Sequence, residues 1–285
     1  GGVSSKPAPP PTIDVPEATA RFVVGGDSRD DAAHVLPWAF REAKSRGASA
    51  FLFLGDMELS PQLDAHFRRE LDLCEVPFYP VLGNHEVKVL GMLSIGQAQA
   101  ERAFRARFLE TPHTRLKSSL EGRIVYSVNL PGGVHFVALD NVSRPGFGQE
   151  QLAWLTADLD QAHADASVRH IVIGMHKPLA GNGVTMHGMD GDGAEAVADS
   201  DVALSLFASS HVSLILASHV HDYEHFEQRG IPTYITGGLG APLIRSGPAH
   251  AFHHFLVLDV TDGGISVDVV RFDGTPSVGT DEIDD

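Results

Sequence analysis

Residues 20–56 read ARFVVGGDSRDDAAHVLPWAFREAKSRGASAFLFLGD, and this stretch decides the fold class. The apolar runs at 20–27 and 50–56 each end in glycine and aspartate, which is typical of a buried strand that meets a loop. Between them, residues 30–47 carry a helical pattern that stops at Gly47. A strand, a helix and a second strand in this order predict a crossover unit in an α/β sheet.

Further apolar runs predict a strand and loop at 77–86 and strands at 123–130, 134–140, 170–176 and 212–219. A Pro-Gly-Gly turn separates the second of these runs from the third and indicates a hairpin. Helices are predicted for residues 61–75 and 149–164, and the C-terminal part is again rich in strands. We therefore expect an α/β domain built as a sandwich, with antiparallel strands at its edges.

The composition excludes several classes of protein. The 285 residues include 21 Lys and Arg against 37 Asp and Glu, and a net charge of −16 argues against general binding of nucleic acids or anionic membranes. The single cysteine, Cys74, rules out an intramolecular disulfide and a cysteine-built metal site. No apolar run approaches the roughly 18 residues that a membrane span needs. The sequence carries no signal for an oligomeric state.

Polar motifs follow the apolar runs at five places. They read GGDSR (25–29), LGDM (54–57), GNHE (83–86), GMHKP (174–178) and SHVH (218–221). In open α/β sheets, ligand sites collect at the carboxyl ends of the strands, so we expect these five motifs to meet. Each motif by itself is typical of a turn or a helix cap.

Together the motifs supply the donors of a metal centre. Their side chains are those of Asp27, Asp56, Asn84, His85, His176, His219 and His221. Carboxylates, an amide oxygen and imidazoles form the mixed oxygen and nitrogen set that suits two divalent transition metals such as Mn, Fe, Zn or Co. Because burying a run of Asp and His without a cation is costly, the joint pattern predicts metal binding.

The order GD, GD, GNHE, H and HxH resembles the calcineurin-like metallophosphoesterases. The segments GNHE, HKP and HVHDYEH resemble the purple-acid-phosphatase-like branch of that superfamily, and the resemblance covers about residues 20–272. It implies two mixed β-sheets packed as a sandwich with helices on the outer faces. It also implies hydrolysis of small phosphomonoesters or phosphodiesters by a metal-bound hydroxide at a dinuclear centre.

The same resemblance implies a role for each side chain. The first metal would be bound by Asp27 and His221, the second by Asn84, His176 and His219, and Asp56 would bridge the two. His85 would bind no metal. It would instead serve the leaving-group oxygen as a proton donor or electrostatic stabiliser.

The first motif departs from the family pattern. Many members read D-x-H there, and the histidine binds the first metal, but this chain has Arg29. The purple acid phosphatases instead place a tyrosine three residues after the bridging aspartate, where this chain has Leu59. The first metal is therefore expected to bind more weakly than the second. Arg29 is interpreted either as a ligand of a substrate phosphate or as a salt-bridge partner of Asp30 or Asp31.

This departure leaves a second function open. With an impaired first site, the chain could be a non-catalytic or weakly active protein that binds phosphorylated ligands. The presence of His85 argues against that alternative, because this residue would serve turnover and not metal binding.

Other histidines have less specific interpretations. His187 lies in the glycine-rich segment 180–193, directly after His176, and is interpreted as a contact to substrate phosphate or as a solvated loop residue. His253 and His254 border a strand, where we expect one side chain to face inward and the other outward.

Residues 87–123 form a basic segment in an acidic chain, with seven basic and three acidic residues. They either rim the site and attract an anionic substrate or form a solvated helix face. In the second case Phe104 and Phe108 pack inward at helical spacing.

The chain is divided by composition near residue 18. Residues 1–18 are rich in Gly, Ser and Pro and predict a linker or a segment that follows a removed export signal. Residues 19–285 are predicted to be the catalytic domain. We expect an exported or periplasmic protein, with a cytoplasmic location left open.

Overall fold

The computed structural model describes residues 18–29, 31, 34–57, 61–87, 97–111, 114–244 and 249–272. Residues 1–17, Asp30 and Leu59 lie outside these ranges. The expectations for the N-terminal segment and for these two side chains therefore stay predictions.

The secondary structure alternates at first and becomes strand-rich toward the end. The strands are β1 (Ala20–Gly25), β2 (Ala50–Phe53), β3 (Phe78–Pro80), β4 (Ser118–Leu120), β5 (Val125–Leu130), β6 (Val134–Ala138), β7 (His170–Gly174), β8 (Leu214–Ala217), β9 (Tyr223–Gln228), β10 (Ile231–Thr236), β11 (His254–Thr261) and β12 (Gly264–Arg271). The helices are α1 (Val35–Ser45), α2 (Pro61–Cys74), α3 (Gln97–Phe104), α4 (Gly148–Ala164) and α5 (Ala194–Ser209). A π-helical turn, Arg105–Leu109, continues α3, and a short helical turn covers 84–87.

The strands form two mixed sheets. The first has the order β12–β11–β1–β2–β3, in which β1, β2 and β3 are parallel and β11 and β12 are antiparallel. In its centre, Val23 pairs with Phe51 on one side and Val257 on the other. The second sheet has the order β4–β5–β6–β7–β8–β10–β9, with parallel strands in the middle and antiparallel strands at both edges. The predicted sandwich of two mixed sheets is confirmed.

Two apolar cores hold the layers together. Side chains of both sheets pack in the first core, where Phe22 and Phe51 of one sheet join Tyr126 and Phe136 of the other. The second core lies between the seven-stranded sheet and α4 and α5, around residues such as Leu155. Large apolar side chains buried on both faces of the central strands explain why those strands read as continuous apolar runs.

The structure differs from the sequence predictions most clearly in two elements. The strand predicted within 77–86 is β3, but the part predicted as a loop contains a helical turn at 84–87, which begins inside the GNHE motif. Helix α5 was not predicted at all. Its buried side chains are Ala196, Ser200, Ala203, Leu204 and Phe207, while the apolar Val197 and Val202 are exposed, so no clear apolar stripe stands out in the sequence.

The basic segment provides packing and ion pairs as well as charge. Phe104 and Phe108 are buried with their ring centroids 4.9 Å apart, as the helical interpretation requires. Arg107 pairs with Asp64, and Arg123 donates to Asp140 from both Nε and a terminal nitrogen, at 3.0 and 2.8 Å. At least these two arginines therefore stabilise the fold, because each forms an ion pair with an aspartate in another part of the chain.

Candidate metal centre

The polar motifs meet at the carboxyl ends of parallel strands, three of them in the first sheet and two in the second. Backbone hydrogen bonds join neighbouring motifs: Asp27 N–H donates to Gly55 O at 2.9 Å, Arg29 N–H to Asp56 O at 2.9 Å and Ser218 N–H to His176 O at 2.8 Å. The side chains of Asp27, Asp56 and His176 are almost completely buried there. The carboxyl ends of parallel strands have therefore brought the motifs together, as the order of elements predicts.

Four donor atoms converge on one point. Asn84 Oδ1 lies 2.8 Å from His176 Nε2 and 3.1 Å from His219 Nδ1. The two imidazole nitrogens are 3.3 Å apart, and Asp56 Oδ1 lies 3.4 Å from His176 Nε2. Within the described ranges, Asp56, His176 and His219 are the group of acidic or imidazole residues spaced closely enough to hold a metal ion.

A second pair of donors stands beside this group. His221 Nε2 lies 3.5 Å from Asp27 Oδ1, and both side chains are buried. His221 Nδ1 faces Pro242 O at 2.8 Å, and His176 Nδ1 faces Leu54 O at 2.8 Å. Because Nδ1 of each ring is directed at a carbonyl oxygen, Nε2 of the same ring faces the site, where it can bind a metal ion.

The donor set fits a divalent cation. Asp27 Oδ1 is a buried carboxylate oxygen without a hydrogen-bond partner in the part of the chain that the structure describes. The two ring nitrogens and the amide oxygen of Asn84 lie 2.8–3.3 Å from one another and face one point. A mixture of imidazole, carboxylate and amide oxygen suits a borderline transition metal.

The backbone is strained at the same place. Asp27, Arg29, Asp56 and His219 all have positive φ, from 47° to 69°, although none is glycine. Such residues persist where surrounding contacts over-determine the chain, and they cluster at functional sites. Three of the four carry donors of the candidate site.

The electrostatics of the site follow from burial and from the carboxylates. Burial by itself lowers the pKa of His176, but the carboxylate of Asp56 outweighs it and raises the pKa to about 9. Burial would raise the pKa of Asp27, yet the neighbouring imidazole of His221 and the charge of His176 hold that pKa below the usual value. Burial and the charge of His176 lower the pKa of His219 well below its usual value. The carboxylates are thus held in the ionised form that binds metal.

Glu86 connects the LGDM and GNHE motifs through hydrogen bonds, a role that the sequence analysis does not predict. Its carboxylate accepts the N–H groups of Asp56 at 2.9 Å, Met57 at 2.6 Å and Gly83 at 2.7 Å. Burial and the nearby charge of Asp56 raise the pKa of Glu86 to about 7. The available signal was its position at the end of GNHE, next to a predicted site residue.

The predicted catalytic residue lies against the donor group. His85 is buried, its backbone N–H donates to Asp56 Oδ1 at 2.9 Å, and its Nε2 lies 3.9 Å from Asp56 Oδ2. Arg29 is half-buried beside the same loop. His187, in contrast, is exposed in the loop between β7 and α5, where its backbone N–H donates to Thr185 Oγ1 at 3.0 Å.

The expectation for His253 and His254 is wrong, because both side chains are buried. His254 Nδ1 faces Phe252 O at 2.8 Å, its Nε2 faces Thr236 Oγ1 at 3.0 Å, and His253 Nδ1 faces Gly238 O at 3.2 Å. His253 lies under the backbone at Gly238, 15 residues earlier in the chain, so a strand pattern alone could not reveal its burial. Burial lowers the pKa of His254 to about 4.

Residues 20–223 match the calcineurin-like phosphoesterase family. Among curated proteins, phosphoenolpyruvate phosphatase of Allium cepa is 27% identical over 266 residues, which cover 90% of this chain and 50% of the relative. Purple acid phosphatase 21 of Arabidopsis thaliana is 26% identical over 214 residues, or 72% of this chain and 45% of the relative. The chain thus spans about half the length of these curated relatives.

Solved structures share the fold. A dimetal phosphatase from Danio rerio superposes with a TM-score of 0.61 at 15% sequence identity, covering 90% of this chain and 96% of that chain.

Across the described ranges, no helix has the length and apolar character needed to cross a membrane.

Proposed function

This chain belongs to the calcineurin-like phosphoesterase family, and from that premise we propose that it hydrolyses phosphoester bonds of small substrates at a pair of divalent metal ions. The observation that carries the proposal is the convergence of Asp56, Asn84, His176 and His219 on one point. These four would hold the tighter ion. Asp27 and His221, together with Asp56, would hold the other.

The chain's own residues would divide the work. When bound, the divalent ions supply Lewis acidity for water and for the phosphoryl oxygens. Asp27 and Asp56 are held ionised by their surroundings, and the Nδ1–H bonds of His176 and His221 fix the direction of each ring. His85 would give a proton to the leaving-group oxygen. Arg29 would hold a phosphate oxygen, and His187 remains a predicted contact to the substrate.

The rival is a protein that binds phosphorylated ligands without turnover. The replacement of the family histidine by Arg29 favours it, because the first set then holds three protein side chains. The close packing of His85 against Asp56 favours hydrolysis, because a proton donor has no use in a binding protein.

Metal titration combined with an assay tests the proposed function. We expect the purified chain to bind two ions of Mn²⁺ or Zn²⁺ with unequal affinity, because the second set has four side-chain donors and the first has three. Binding is measured by calorimetry and metal content by mass spectrometry. Hydrolysis of p-nitrophenyl phosphate or bis-p-nitrophenyl phosphate should vanish with a chelator and return with metal. Two equally tight ions would contradict the inequality, and a metal-loaded chain that hydrolyses neither ester would support the binding alternative.

Arg29→Ala is expected to lower kcat/KM by about 10–150-fold, the value of one charge-assisted contact of about 1.5–3 kcal/mol. Arg29 is two residues after Asp27 in the chain, which places its backbone beside the candidate metal site. Its guanidinium can bind two phosphate oxygens at once. Metal content should stay the same. Arg144→Ala is the matched control, because it removes an exposed arginine that pairs with Glu195.

Arg29→His sharpens this test, since it restores the residue that family members use for the first metal. That variant should tighten the weaker ion and weaken the binding of phosphate. Activity of Arg29→Ala within twofold of the unchanged chain would show that Arg29 does not contact the substrate.

A further inference from the structure

The buried Ser218, one residue before His219, has no part in the roles assigned so far. We propose that Ser218 is a positioning residue that turns the carboxylate of Asp27 so that a single oxygen, Oδ1, faces the first metal. This inference rests on the proposed function and specifies how the weaker of its two metal sites is built.

The hydrogen bonds of Asp27 divide its two oxygens. Asp27 Oδ2 accepts the hydroxyl of Ser218 and also the backbone N–H of His219, the latter at 2.8 Å. Asp27 Oδ1 is buried, has no hydrogen-bond partner within the described ranges and lies 3.5 Å from His221 Nε2. One oxygen is therefore occupied by fixed donors, and the other is left for the cation.

The hydroxyl of Ser218 is held in place by close packing. Ser218 is completely buried, and its Oγ lies over the backbone of Gly26, where a side-chain carbon would come within 2.1 Å of the hydroxyl oxygen. Glycine at this position thus leaves the room that the serine needs. Because its surroundings confine the hydroxyl, it restricts rotation of the Asp27 carboxylate more than a mobile donor would.

The effect should be confined to one metal. Asp27 is outside the group of four donors around Asn84, so a change in its orientation reaches the first site directly and the second only through the backbone N–H of His219. At position 29, many family members have a histidine that binds the first metal, but this chain has an arginine. Because the first site has fewer ligands, its affinity depends more on the direction of each remaining donor. Removing the partner of a ligating side chain typically costs 10–100-fold in metal affinity.

Ser218→Ala provides the test, with Ser200→Ala as the matched control. Ser200 is an equally buried serine whose hydroxyl bonds to the backbone N–H of Ala180, away from the motifs. Both variants and the unchanged chain are titrated with Mn²⁺, and binding is followed by calorimetry and by the electron paramagnetic resonance signal of free and bound Mn²⁺. We expect Ser218→Ala to weaken the weaker ion about 10–100-fold and leave the tighter ion within twofold. Ser200→Ala should change neither affinity.

Three outcomes would overturn the inference. Unchanged affinities in Ser218→Ala would show that the hydroxyl does not position Asp27, and equal weakening of both ions would indicate a general structural defect. Ser218→Gly also removes the hydroxyl and is titrated in the same way. If either variant is folded and binds the weaker ion with unchanged affinity, the proposal is wrong. An unchanged chain that binds no metal would overturn the proposed function itself, whereas two bound ions that do not respond to Ser218→Ala overturn only this inference.

Discussion

Replacing His85 with alanine is expected to lower kcat by about 10²–10⁴-fold for a phosphoester with a poor leaving group, which is the usual contribution of a positioned proton donor. Metal content should not change. The contact between residue 85 and Asp56 Oδ1 is made by the backbone N–H, which alanine retains. The donor group around Asn84 therefore keeps its geometry while the imidazole is lost.

The leaving group provides an internal control for this prediction. p-Nitrophenolate departs without protonation, so the loss should shrink with p-nitrophenyl phosphate and be largest with an alkyl phosphate. His163→Ala, at an exposed position of α4, is the matched control and should leave both rates unchanged. If His85→Ala also emptied the metal site, His85 would be a ligand and its proposed role would be wrong.

Asp140→Ala should lower the free energy of unfolding by roughly 3–5 kcal/mol, the effect of breaking a buried ion pair on one side. Asp140 is completely buried two residues after the end of β6, and Arg123 donates to it from two nitrogens. It also accepts the N–H groups of Val142 and Ser143, each at 3.0 Å. Alanine would leave all of these donors without the carboxylate.

Urea unfolding of the metal-free chain measures this change. Asp140→Asn retains a hydrogen-bonding side chain and should lose less stability than Asp140→Ala. Glu195→Ala breaks the exposed pair with Arg144 and should cost at most about 1 kcal/mol. A loss in Asp140→Ala no larger than that of Glu195→Ala would show that the Arg123 pair is weak despite its burial.

Asp140 also has a route to the candidate site. The next residue, Asn141, accepts the backbone N–H of Lys177 at 3.1 Å and donates to its carbonyl at 2.8 Å. Lys177 directly follows His176. We therefore expect Asp140→Ala to weaken the tighter metal as well, through displacement of the segment that carries His176.

The sequence was sufficient to predict which residues would meet. The apolar runs that end in Asp27, Asp56, His176 and His219 identify the carboxyl ends of strands. Parallel strands of an α/β fold have their carboxyl ends on the same side of the sheet, so these residues are expected to lie close together. The resemblance of the motifs to the metallophosphoesterases agreed with that reasoning, and the family match covers residues 20–223.

Sequence reasoning failed where the partner of a side chain lies far along the chain. The sequence places Arg123 in a basic rim or on a solvated face, yet its side chain binds Asp140. The strand pattern places His253 and His254 on opposite faces, yet His253 Nδ1 faces Gly238 O and His254 Nε2 faces Thr236 Oγ1. The sequence pattern does not reveal helix α5, because apolar residues lie on its exposed side as well as on its buried side.

By itself, the sequence determined the alternation of strands and helices, the chemical nature of the metal donors and their position at the carboxyl ends of the strands. These depend on hydrophobic periodicity and on the order of elements, which are local properties of a chain. Only the tertiary structure decided that Glu86 binds the N–H groups of two loops, that Asp27 presents Oδ1 and that His221 turns Nε2 inward. Those directions are set by hydrogen bonds between residues up to 192 positions apart, which form only after both sheets have packed.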